Sequence, residues 1–207
     1  MIHWADHVGA TQLPALALLS PDGRPCGLIE GEGVTDAAKL KEELAEMNQN
    51  YLISQSAFSQ ADLVQGAERA QQLHQALQAI DSPCREAYHD VMQQIITLDP
   101  EDSLALRSDY QPILTEVVID EVIQGEVYPL VDAGAYDQAQ ATLARLIRDN
   151  TLTNEQHQLL LAFQAQLLHS QNRTREAIDM IDQAIALHIG GPAHDQLVAA
   201  RLQLMAQ

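Results

Sequence analysis

"LLLAFQAQLLHSQNRTREAIDMIDQAIAL", Leu159 to Leu187, is the stretch on which the fold turns. It reads as helix, short turn, helix, with Ala165 and Leu168 on the first helix and Ala177, Ile181 and Ala184 on the second. Thr153-Asn154-Glu155-Gln156 supplies an N-terminal capping box in front of it. Small residues at such positions let two helices approach closely, and bulky ones fill the groove between neighbouring hairpins.

The pattern recurs upstream. "YPLVDAGAYDQAQATLARLI", Tyr128 to Ile147, places Ala139, Leu143 and Leu146 at the corresponding sites, and Ala139 precedes Ala177 by 38 residues. A third, weaker copy is "REAYHDVMQQIITLDP", where Ala87 and Val91 fit and polar Gln94 stands in for a small residue. These hairpins resemble a divergent tetratricopeptide array of two to three units, whose usual period is 34. The resemblance implies a surface for binding a peptide or protein. Gly125 and Pro129 predict a break or kink in the helix from Leu114 to Val131. "AHDQLVAARLQLMAQ", after Gly190-Gly191-Pro192, reads as a closing helix over the last hairpin.

Before the helical part lies "LPALALLSPDGRPCGLIEG", Leu13 to Gly31. An apolar run, a turn centred on Asp22-Gly23 and a second apolar run predict a β-hairpin. The next stretch, "VTDAAKLKEELAEM", predicts a helix capped at Thr35 and ending near Asn48, with Leu40, Leu44 and Met47 on one face. This order resembles the C-terminal half of a thioredoxin-like domain. Pro14 sits where that family carries its cis-proline, and Asp22-Gly23 falls at its hairpin. The family's Cys-x-x-Cys lies upstream of everything matched, and Cys26 cannot inherit its role. Residues 1–50 are therefore expected as a truncated thioredoxin-like β-β-α segment and 51–207 as the helical domain, with the boundary in the polar stretch 49–62. Ser59 to Asp62 has the form of a cap for a helix using Leu63, Ala70, Leu73, Leu77 and Ile80, and Ser82-Pro83 starts the next helix. The overall expectation is a mostly α protein with a small N-terminal β-hairpin.

Composition narrows the function. Aromatics make up 4%, and 29 acidic against 11 basic residues give a formal net charge of −18. A nucleic acid would meet repulsion over most of that surface, whereas a basic peptide would not. No long apolar run or secretory leader is visible, so a cytoplasmic location with no membrane partner is expected. Met1-Ile2-His3 could chelate copper or nickel if Met1 is the mature terminus, which makes His3 and His7 the candidate metal ligands, and an ordinary helix face explains them equally. His74, His89, His157, His169, His188 and His194 are dispersed with no nucleophile in a recognisable motif. Glu116 and Asp120 stand one turn apart, as on a solvated helix face. No cofactor and no catalytic residue are expected.

Two functions from different classes follow. The first is a non-catalytic interaction scaffold or adaptor that presents the helical repeats to a protein or peptide, with a homodimer through the 14–19 edge strand as one arrangement. The alternative is the downstream part of a thioredoxin-like disulfide reductase or redox-linked holdase chaperone whose Cys-x-x-Cys lies upstream of Met1.

Overall fold

A computed structural model describes residues 10–190 and 193–205. The chain is mostly α-helical, and its described residues fall into two compact units, one ending at Leu114 and the other beginning at Thr115. His3 and His7 lie outside the described residues.

In the first unit β1 (Ala15–Leu19) and β2 (Pro25–Glu30) form an antiparallel hairpin. The turn closes through Gly23 N–H to Ser20 O at 2.9 Å, and Gly23 takes a φ of 86°. The Leu13–Pro14 bond is cis. β2 is buried along most of its length, and its second edge is sealed by Asp81. The Leu28 N–H donates to Asp81 Oδ2 at 2.8 Å, and the Asp81 N–H donates to Cys26 O. Gly31 N–H donates to Pro14 O, so by antiparallel alternation Ala15 and Ala17 direct their backbone groups away from β2.

After a single turn, α1 (Glu32–Thr35), comes α2 (Ala37–Ala61). Its cap is Asp36 and not the expected Thr35: the Asp36 carboxylate accepts from the N–H groups of Ala38 and Lys39. The helix does not end near Asn48 but runs a further thirteen residues to Ala61, so the expected boundary at residue 50 falls inside it. Met47, Tyr51, Ser54, Phe58 and Ala61 explain the continuation. They keep one buried or half-buried stripe at intervals of four and three, with small residues where large ones were sought. Ser59 consequently lies in the last turn of α2 and caps nothing, and α3 (Gly66–Gln78) starts from Gln65. Leu63 is exposed, while Ala70, Leu73, Leu77 and Ile80 are buried as the spacing predicts.

Asp81, one residue before the expected cap, precedes a 3-10 helix (Ser82–Tyr88), and α4 (His89–Leu98) follows. The weaker third copy is therefore split: Ala87 belongs to the 3-10 turn, Val91 to α4, and Gln94 is exposed. The β-hairpin docks on these helices, its Cys26 sharing a core with Leu73, Leu77, Cys84, Met92 and Ile95. Arg24 fastens the hairpin turn by a two-pronged ion pair to Asp90, at 2.7 and 3.0 Å, with its guanidinium over the Tyr88 ring.

His74 Nδ1 and the Tyr110 hydroxyl share a hydrogen bond of 2.6 Å beside this core. Burial is the main reason the imidazole is held below its ordinary pKa; Asp109 opposes that shift and Arg85 adds to it. The unfolded chain therefore binds this proton more readily than the folded one. The His74 contribution to stability is fully present above the unfolded value of about 6.5 and is lost as pH falls through the lowered one. Urea titrations at pH 5.5 and 7.5 should show a pH-dependent loss of stability on acidification that His74→Gln diminishes. An unchanged slope in that variant would contradict the assignment.

The second unit is built from a repeated hairpin. α5 (Arg107–Val122), whose residues up to Leu114 belong to the first unit, passes into a π-helical segment (Ile123–Val127) and then α6 (Tyr128–Asp132). The expected irregularity around Gly125 and Pro129 thus takes the form of a π-bulge, which accommodates the proline while the chain stays helical. α7 (Tyr136–Asp149) follows, then α8 (Asn154–Ser170), α9 (Thr174–Leu187) and α10 (His194–Met205). α7 and α9 begin and end 38 residues apart, and so do their turns. Ala135 N–H donates to Leu130 O as Arg173 N–H does to Leu168 O, and Gly134 N–H to Val131 O as Asn172 N–H does to His169 O. Gly134 and Asn172 hold the left-handed position of this helix end, with φ of 72° and 59°.

Candidate functional site

The residues singled out for packing are all in the interior of the second unit. Ala139, Leu143 and Leu146 of α7 lie in a cluster with Ile119, Ile123, Val127, Leu160 and Leu167. Ala165 and Leu168 of α8 lie with Ala177, Ile181 and Ala184 of α9 in another, which Leu197 of α10 completes. Thr153 Oγ1 accepts from Gln156 N–H and Gln156 Oε1 from Thr153 N–H, the reciprocal box that starts α8. Gln158, almost wholly buried, donates from Nε2 to Ala184 O at 2.9 Å and ties α8 to α9.

α10 packs on α9 through Leu197, Ala200 and Leu204. Its approach to α8 is lined by alanines, Ala162 and Ala165 on one side and Ala200 on the other, and the missing side-chain volume leaves an apolar groove. Two adjoining pockets of about 420 and 310 Å³ make it up, sharing Ala162, Leu197 and Ala200. Glu155 stands at one end, with Leu159 one turn further along α8 and 52% exposed. His169 lines the other end. His188 Nδ1 lies 3.9 Å from the Glu155 carboxylate. Sequence reading missed these residues because α10 was expected to cover the last hairpin. The run of alanines facing one another was the available signal for a gap.

Thiol chemistry has poor support from the chain's own cysteines. Cys26 and Cys84 are free and buried, and burial, with Asp81 nearby, pushes their thiols up to about 11 and about 12. A thiol so raised holds almost no thiolate at neutral pH. Glu116 and Asp120 are exposed on α5. Among the described residues no group of three or more His, Cys, Asp or Glu is placed to hold a metal ion, and no helix is long and apolar enough to cross a membrane. A second cleft, of about 310 Å³, lies against β2 between Leu28, Glu43, Glu46, Asn50 and Asp81, and its Asp81 is already engaged by the Leu28 N–H.

No protein-family model, curated protein or solved structure matches the chain. The functional reading therefore rests on its own residues.

Proposed function

We propose that the protein is a non-catalytic interaction scaffold, a tetratricopeptide-like hairpin array that holds a protein or peptide partner. The observation that carries this reading is the apolar groove between α8 and α10, built on two hairpins that repeat at 38 residues. Packed helices with an unfilled apolar seam can bind side chains of a partner, and among the described residues the groove lining contains no pairing of nucleophile and base. The test is site-specific photo-cross-linking. A photoreactive residue at Leu159 of the intact chain should capture discrete proteins in extracts of its own cells, and the same residue at exposed Leu63 should not. Absence of any captured protein, together with turnover of a small molecule by the purified chain, would overturn the proposal.

A second reading, the downstream part of a thioredoxin-like disulfide reductase or redox-linked holdase, is favoured by one observation. β1, the Asp22-Gly23 turn, β2 and the helices after them follow in that family's order, with Pro14 immediately before β1. The reactive pair would then be a Cys-x-x-Cys outside this sequence. The intact mass and N-terminal residue of the protein isolated from its own cells separate the two, since only the second requires a longer chain.

A further inference from the structure

We infer that the groove between α8 and α10 receives a basic amphipathic segment of a partner protein, two bulky apolar side chains entering its two pockets and a Lys or Arg meeting Glu155. The inference rests on the scaffold reading and gives its partner a chemistry. Three observations lead to it.

The first is shape. Ala162, Leu197 and Ala200 wall both pockets, with Leu159 added in the first and Ile181 and Leu204 in the second, so these chiefly apolar linings take aliphatic or aromatic side chains. The second is spacing. Along α8 one pocket is centred near Leu159 and the other near Gln166, about seven residues on, which is about 10 Å of helix. Apolar anchors seven residues apart on a partner helix span the same distance. The third is charge. Among the described residues Glu155 is the one carboxylate lining either pocket, and no Lys or Arg lines them. Residues 115–207 carry 12 acidic and 5 basic side chains, and Arg145, Arg148, Arg173 and Arg201 are each ion-paired to a carboxylate of the same unit. An acidic segment would thus be repelled, whereas a cation beside the Glu155 end is attracted.

The test uses the intact chain and a defined pair of probes. One is a blocked helix-forming peptide of Ala and Gln with two leucines seven residues apart and a lysine one turn before the first. The other is its twin with glutamate in place of the lysine. Fluorescence anisotropy should show the lysine peptide binding about tenfold more tightly than the glutamate twin. Glu155→Gln should reduce that preference to about twofold, because a neutral amide cannot distinguish the two charges. Ala162→Leu, which fills the shared wall, should weaken the lysine peptide about tenfold or more. Leu159→Ser, at an exposed site where folding is not at stake, should weaken it several-fold. Binding of neither peptide, equal affinity for the twins, or a preference that survives Glu155→Gln would each overturn the inference. A discrete partner captured at Leu159 without a lysine preference would overturn the inference and leave the scaffold reading standing. Failure to capture any partner would count against the scaffold reading itself.

Discussion

Leu143→Ala is expected to destabilise the second unit by about 2–5 kcal/mol, a large share of the total stability of an ordinary domain. Leu143 is fully buried at the centre of α7, among Ile119, Ile123, Val127, Leu146, Leu160 and Leu167. Removing its branched end loses the transfer free energy of the buried carbons and leaves a cavity that a close-packed interior closes only in part. Ile181 occupies the same place 38 residues later, so Ile181→Ala should be costly for the same reason, on the order of 2–5 kcal/mol. Leu143→Ile, which conserves volume, should cost under about 1.5 kcal/mol. Urea unfolding gives the magnitudes, and hydrogen exchange should locate the Leu143→Ala effect in amides of residues 119–167. An effect below about 1 kcal/mol would mean that α7 is not packed as described.

Gly27→Val should destabilise the first unit by about 1–3 kcal/mol, towards the upper end of the overpacking range. Gly27 lies in buried β2 opposite Leu18, and a Cβ there would overlap the Met47 side chain, reaching its Sδ at 2.6 Å and its Cγ closer still. Met47 is itself buried on α2, so its Cγ has little room to retreat. The glycine is required because strand and helix meet at this point. Met47→Ala should restore part of the lost stability when combined with Gly27→Val, although alone it is destabilising. A positive coupling of about 1 kcal/mol or more in that double-mutant cycle is the expected result. Simple additivity would show that the cost of valine arises elsewhere.

The groove and the hairpin make different demands on a sequence reader. In the hairpin the informative residues are local: Asp22-Gly23 at the turn, Pro14 before β1, and an apolar run on either side. In the groove the informative quantity is a deficit of volume between Ala162 and Ala200, which are 38 positions apart and belong to helices whose packing no local pattern states. The continuation of α2 to Ala61 lies between these cases. Its stripe was written in the sequence, but Ser54, Ala57 and Ala61 count as core only once their burial is known. The sequence also shows two cysteines without showing that both are buried and held as thiols.

By itself the sequence determined the mostly α class, the β-hairpin and its turn, the Thr153 capping box and the 38-residue spacing of Ala139 and Ala177. All of these depend on interactions within a few residues or on periodicities imposed by helix and strand geometry. Only the tertiary structure decided that Asp81 seals β2, that the irregularity around Gly125 and Pro129 is a π-bulge, and that α10 leaves an apolar groove ending at Glu155. These features depend on the distance of approach between elements far apart in the chain. That distance is set by the summed volumes of side chains meeting across an interface, which no single stretch of sequence contains.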